Sequence, residues 1–329
     1  MHNAARLIEN NKVSVKVDKK KDGLFVYFRV FNKNGSASCL IENTHTNITE
    51  TRKNSKIIFK QKKGAVSSQN EARTWAHRLS IEEMISIVKR MDGSLRKRIR
   101  EGALLNLAMA KHGETLFPKS FVEMMSTEAI THSAGLVFCG VFARMSGEDL
   151  PVMSIAGAGN KGITCAIPIL ELERERKLNG HLVEEALALA ALVSSKITEE
   201  LGTLSAVCGC SNAAGIGLAC ALVYLMGGNV KQISYAINNM VGNVTGMICD
   251  GAKIGCALKT MTSVDAAFRS ATLALNNLGI PKADGIVGEN GAESLRNLGT
   301  IAKKGMIATD LEILKIMEEK LHVGNLTHR

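Results

Sequence analysis

Five of the chain's eight cysteines, Cys208, Cys210, Cys220, Cys249 and Cys256, lie between positions 208 and 256, among glycines and alanines and with little charge around them. Thiolates in that number suit a soft-ligand centre, either zinc or an iron–sulfur cluster. The spacings are C-x-C at 208 and 210 and C-x6-C at 249 and 256, whereas a closed zinc site usually shows two CxxC-type pairs. Inert cysteines buried in a small-residue core are the competing reading on spacing alone, because free Cys is among the most buried residue types. Cys256 follows Cys249 by seven residues, two helical turns, which would set both thiols on one helix face. Gly251 and Gly255 fit a tight loop between them equally well.

Two further stretches carry chemistry-bearing residues. In AGAGNKG, residues 156–162, Gly157, Gly159 and Gly162 match the register of a G-x-G-x-x-G fingerprint. No strand of β-branched residues precedes them and no acidic ribose partner follows, so a dinucleotide site is not expected. A backbone nest of N–H groups that receives a carboxylate is the more economical functional reading. The second stretch is Thr44-His45-Thr46-Asn47 at a predicted strand end. A lone histidine is more often structural than catalytic, yet hydroxyls and an amide beside His45 could orient an amino acid's carboxylate.

The elements that must position these residues divide along the chain. The first sixty residues read as β-structure: Val13, Val15 and Val17 alternate with polar residues, then LFVYFRVF and ASCLIEN follow, separated by Asp22-Gly23 and Asn34-Gly35 as hairpin signals. After a polar connection near residues 61–72 the period becomes helical. Ser80 with Glu83 forms a capping box ahead of IEEMISIVKRM. Helices are expected over 181–200, over 264–278 with Ser263 as N-cap, and from Thr309 with Glu312 in the box position. The fold class is therefore α+β, an N-terminal antiparallel sheet with helices over residues 1–75, followed by a mostly all-α domain over 76–329.

Composition limits the function classes. The chain has 329 residues, is 46% hydrophobic, and carries a net charge of +10 concentrated in its first third. Those basic runs are not interleaved with aromatics and match no nucleic-acid reader motif, so a solvated basic surface is expected and no nucleic-acid partner. No charged residue occurs from Gly202 to Val230, yet serines, an asparagine and glycines interrupt the window, which reads as a buried core helix and not a membrane span. The N-terminal MHNAARLIENNKVSVKV has no apolar h-region. Reduced thiols and a cytoplasmic location are the expectation.

Taken in order, ENTHTNI, RMSGEDLPVMSIAGAGNKGITCAIPI, SAVCGCSNAAGIGLACALVYLMGG, NNMVGNVTGMICDGAKIGCALK and DGIVGENGAESLRNL resemble the L-cysteine desulfidase family, itself related to the α-chain of iron–sulfur L-serine dehydratases. The resemblance implies an oxygen-sensitive 4Fe–4S cluster held by three cysteines with one iron left open. Carried over by motif, these are Cys208 of SA-x-C-x-C, Cys249 of MICDGAK and Cys256 of CALK. It further implies elimination of sulfide from L-cysteine or water from L-serine, giving pyruvate and ammonia without pyridoxal phosphate. The substrate contacts it suggests are Thr46, Asn47, Gly157, Gly159, Asn160, Lys161 and Gly162, with His45 as substrate contact or α-proton base. Lys161 stands where the family usually has Gln. A Gly-Cys-Thr-Glu-Pro segment typical of the family is not found in this sequence, which leaves open a partner chain that supplies it, a fragment, or a non-catalytic binding module of the same fold. A homo-oligomer is also in keeping with the small-residue helices, and metal analysis would settle a zinc scaffold.

Overall fold

The computed structural model describes residues 6–8, 10, 12–18, 20–21, 23–44, 46–61, 68–125, 129–202 and 205–324. The chain divides into two compact units, Met1–Ala72 and Arg73–Arg329.

The first unit holds a four-stranded antiparallel meander, β1 (Phe25–Asn32), β2 (Gly35–Glu42), β3 (Ile48–Lys53) and β4 (Lys56–Lys60), in sequential order. The Asn34-Gly35 signal marks the first hairpin, although the register pairs Asn32 with Gly35, so that Lys33 and Asn34 form the turn itself. Asn54 and Ser55 connect β3 to β4, both with positive φ (49° and 68°), the type I′ arrangement whose twist matches that of the strands. One expectation fails here. Residues 12–18 form no strand, so the alternation of Val13, Val15 and Val17 finds no partner edge. Asp22 of the expected Asp22-Gly23 hairpin lies outside the described residues, and Gly23, with φ 75°, leads into β1.

The second unit is helical. It comprises α1 (Ser68–Arg78, which begins before the division), α2 (Ile81–Lys89), α3 (Gly93–Glu114), α4 (Lys119–Met125), α5 (Ala129–Ser146), α6 (Gly159–Arg176), α7 (Gly180–Leu201), α8 (Asn212–Leu225), α9 (Val230–Val244), α10 (Cys256–Leu275), α11 (Gly291–Thr300) and α12 (Ile307–Gly324), with a π-turn at Ile301–Gly305. Ser80 caps α2 and Glu83 answers it, closing the expected capping box.

The uncharged stretch is α8, and every one of its residues is buried. It runs through the centre of the unit, packed against α6, α7, α9 and α10. Small residues make that possible. A Cβ on Gly215 would collide with Ser263 Oγ, and one on Gly217 with Ser194 Oγ, so the neighbouring helix axes approach as closely as they do only because these positions are glycine. None of the helices among the described residues is long and apolar enough to cross a membrane.

Two predicted helix starts move. The helix expected from residue 264 begins at Cys256. Ser263 lies inside it, buried, with its hydroxyl donating to Ser211 O at the start of α8 and not to an N-terminal amide. Likewise Thr309 falls inside α12, which is already under way at Ile307.

Candidate functional site

Three chain segments of the helical unit meet around the thiols. The first is Ala206–Ser211, immediately before α8; the second is Met247–Gly255, between α9 and α10; the third is the start of α6. Val207 and Ile248 form an isolated antiparallel bridge, in which the Cys208 amide donates to Met247 O (2.8 Å) and the Cys249 amide to Ala206 O (2.7 Å). This bridge holds Cys208 and Cys249 on adjacent backbones, and their side chains hydrogen-bond. Two segments 41 positions apart in sequence thus place their thiols together.

The Cys208 thiol is pulled below its ordinary pKa, first by the hydrogen bond from Cys249, against burial, and further by Ser211 and the Lys259 charge. Cys249 moves the opposite way, because it keeps the proton that its neighbour surrenders. The start of α8, four residues after Cys208, adds the positive end of a helix dipole. Cys210, two residues on, is pushed up to about 12 by burial and by the Cys208 charge.

Cys256 opens α10, buried, its thiol 3.7 Å from Gly251 O. The alternatives left open by the seven-residue spacing are resolved in favour of the loop. Asp250–Gly255 is non-helical, with Gly251 at φ 94° where a side chain would be strained. Lys259, one turn into α10, reaches back across this loop and donates to Ile248 O (2.9 Å) and to Asp250. It thereby grips the chain on both sides of Cys249.

The start of α6 supplies a cation. Ile155 and Ala158 exchange two backbone hydrogen bonds around Ala156 and Gly157, whose φ values of 48° and 80° make a type I′ turn. Gly157 is thus explained by the turn. Gly159 and Gly162 are explained by close approach: a Cβ on the first would meet the Arg144 guanidinium at 2.5 Å, and one on the second would collide with Met153 O. Asn160 is buried and accepts from Arg144 Nη1 (2.9 Å). Lys161 is 5% exposed, and its ammonium donates to Thr198 Oγ1 (2.7 Å). The Lys161 chain also runs against Gly209, the residue between Cys208 and Cys210. Burial pushes its pKa down, opposed by the thiols of Cys210, Cys165 and Cys208.

The sequence-predicted residues therefore fall into two groups. Cys208, Cys249, Cys256, Asn160 and Lys161 belong to this one neighbourhood of the helical unit. Thr46 and Asn47 belong to the other unit, in the connection from β2 to β3. There Asn47 donates through Nδ2 to Glu42 O (2.9 Å) and accepts from Gln61 Nε2 (2.9 Å), so its amide is used to shape the turn. His45 lies outside the described residues. Arg144, Thr198, Ser211, Asn212 and Lys259 were not singled out in advance. Arg144, Ser211, Asn212 and Lys259 stand within the quoted motifs, whereas Thr198 lies outside all of them.

As a metal site the donor chemistry fits. Soft thiols are paired at Cys208 and Cys249, a third follows at Cys256, and the cations Lys161, Lys259 and Arg144 surround them. Asn212, fully buried beside them, donates to Cys208 O (3.2 Å) while its Oδ1 has no hydrogen-bond partner among the described residues. Among the described residues no three His, Cys, Asp or Glu groups are close enough to hold a metal ion between them.

The profile of the serine dehydratase alpha chain matches residues 40–315. The chain belongs to that family. The match takes in the thiol-bearing segments, the start of α6 and the β2–β3 connection. Among its relatives, a UPF0597 protein of Elusimicrobium minutum is 34% identical over 325 residues, covering 97% of this chain and 77% of the relative. UPF0597 proteins of Clostridium botulinum (34% identical, 94% and 75%) and Alkaliphilus oremlandii (32% identical, 96% and 75%) are similar over comparable lengths. Family membership points to a related lyase role, and the name UPF0597 states no activity.

Proposed function

We propose that the chain is an iron–sulfur lyase that eliminates the β-substituent of L-cysteine or L-serine, as sulfide or water, to give pyruvate and ammonia. The observation that carries this reading is the pairing of Cys208 and Cys249 across the Val207–Ile248 bridge, with the buried Lys161 ammonium beside them. In this proposal Cys208, Cys249 and Cys256 hold a 4Fe–4S cluster. When bound, the cluster supplies a Lewis acid for the thiol or hydroxyl that leaves.

The chain's own residues do the rest. The cations of Lys161, Lys259 and Arg144 offset the negative charge that thiolates and an amino-acid carboxylate bring into a buried site. Lys161, which among the described residues has one hydroxyl partner and no carboxylate acting on it, is left to meet the substrate carboxylate. Arg144 holds Asn160 in position at the start of α6, and Lys259 fixes the backbone that carries Cys249. Thr46, Asn47, Gly157, Gly159 and Gly162 shape the substrate-binding segments, and His45 is assigned as substrate contact or as the base for the α-proton. The free aminoacrylate that results tautomerises and hydrolyses in water.

The test is anaerobic reconstitution of the full chain with ferrous iron and sulfide, followed by iron counting, a visible spectrum, and assays of sulfide and pyruvate release from L-cysteine and L-serine. Iron uptake with turnover is expected, and Cys208→Ala, Cys249→Ala and Cys256→Ala should each abolish both. A chain that takes up no iron would overturn the reading. Iron uptake without turnover would favour a partner-dependent subunit instead, checked by co-purification with a chain bearing Gly-Cys-Thr-Glu-Pro.

A further inference from the structure

A cavity in the helical unit, of about 410 Å³, lies between the C-terminal end of α9 and the middle of α10. Asn243, Met247, Thr262, Asp265, Ala266 and Arg269 are among the residues that line it. Its volume falls within the range typical of small-molecule sites. Of these residues only Met247 also belongs to the segments that meet around the thiols, through its carbonyl, which accepts the Cys208 amide.

The wall carries one charge of each sign. Asp265 and Arg269 stand four apart on α10 with the acid N-terminal, a spacing and order at which the two side chains can reach one another. Here they do not come within ion-pair distance, and neither side chain has a hydrogen-bond partner among the described residues. A carboxylate and a guanidinium thus border one cavity, each without a hydrogen-bond partner. The C-terminal end of α9, at Asn243 and Val244, adds partial negative charge to the same wall. Val244 and Ala266 close the floor with apolar surface.

A ligand that satisfies all of this carries a cation for Asp265 and the α9 terminus, an anion for Arg269, and a short apolar side chain. We propose that this cavity binds a small zwitterion, an α-amino acid, at a site separate from the thiol-lined one. Partial burial of Asp265 raises its pKa, which an ammonium partner would reverse. The inference does not depend on the lyase reading, since it uses neither the cysteines nor Lys161.

The test is calorimetric titration of the metal-free full chain with L-alanine, which has no β-leaving group, in wild type and in Lys161→Met, the second removing the cation of the thiol-lined site. Saturable binding with Kd on the order of 1 mM is expected in both. Methylamine and propionate, each offering one charge, should bind at least about tenfold more weakly. In the Lys161→Met background, Asp265→Asn and Arg269→Gln should each weaken L-alanine binding about tenfold or more, a loss of about 1.4 kcal/mol, with an unchanged far-UV circular dichroism spectrum. Both positions are partly exposed, so folding should survive. The proposal is overturned if L-alanine shows no saturation up to about 50 mM, or if its affinity is unchanged by both substitutions.

Discussion

Two charged regions of the helical unit use similar groups in opposite ways. In one, Arg96 donates to Glu185 (2.9 Å), Tyr224 donates to the other oxygen of Glu185 (2.6 Å), and Arg100 makes a forked pair with Glu173 while its Nε lies 3.6 Å from Glu184. Four helices, α3, α6, α7 and α8, are tied together, and each cation faces a carboxylate. In the other, Lys161 is more deeply buried than either arginine, yet among the described residues it meets a hydroxyl, thiols and the field of the Arg73 cation with no carboxylate, and Asn212 Oδ1 has no hydrogen-bond partner among them. The first arrangement is complete as it stands. The second carries an electrostatic deficit that an anionic cofactor and a carboxylate would fill, and a burial cost that no structural role repays.

The largest expected effect breaks that contrast at its most loaded residue. Lys161→Met removes a buried cation without removing a carboxylate partner, so the metal-free protein should be equally or more stable, by up to about 1 kcal/mol in urea unfolding. Turnover of the reconstituted protein should nevertheless fall about 100-fold, about 2.7 kcal/mol of transition-state stabilisation. A large stability loss with turnover intact would show Lys161 to be structural, like the arginines.

Arg100→Ala should do the reverse. It leaves Glu173 and Glu184, both largely buried at their side chains, facing each other without the guanidinium. A cost of about 2 kcal/mol is expected in denaturant unfolding, with iron uptake per folded molecule unchanged. Glu173→Gln should cost less, since it keeps the shape and removes one charge.

A smaller effect sharpens the comparison at the thiols. In metal-free protein the rate of Cys208 alkylation by iodoacetamide should rise through a midpoint below that of an ordinary thiol, because Cys249 donates to the thiolate. Cys249→Ala removes that donor, and the midpoint should move up by at least about one unit. An unmoved midpoint would mean that the two thiols are not paired in solution.

How much of this was legible depended on whether the signal was local. Ser80 with Glu83 was readable because a capping box is complete within four residues, and the β1–β2 hairpin because Asn34-Gly35 is written into its turn. The β3–β4 hairpin escaped notice since Asn54 and Ser55 adopt positive φ without a glycine to announce it. Ser263 looked like an N-cap, but its hydroxyl is taken by Ser211 O, 52 positions away. The true start of α10 follows Gly255 with no side-chain cap at all, so nothing local marked it. The thiol pairs were suspected from sequence type and resemblance; what sequence could not supply were Thr198 under Lys161 and Arg144 on Asn160, which arrive from separate helices. The glycines of 157–162 show the limit from the other side. Each was noticed as a possible ligand cradle, and each turns out to have a turn or a close contact that already requires it.

The smallest expected effect concerns the loop that carries Cys249. Burial disfavours the charged form of Asp250, but hydrogen bonds from Lys253 and Lys259 outweigh this and hold its carboxyl at about 2, below the ordinary 3.8. Because the folded value is the lower one, the stabilisation is fully present above the unfolded value. It should be lost as pH falls from about 4 toward 2. Asp250→Asn should flatten that part of the stability profile while leaving the neutral-pH value only slightly lower, as the site is partly solvated and such pairs are weak. If the loop instead behaved like the closed arginine network, the same substitution would cost as much at pH 7 as Arg100→Ala does. That equality would remove the distinction between a loop poised around Cys249 and a clamp that exists for stability.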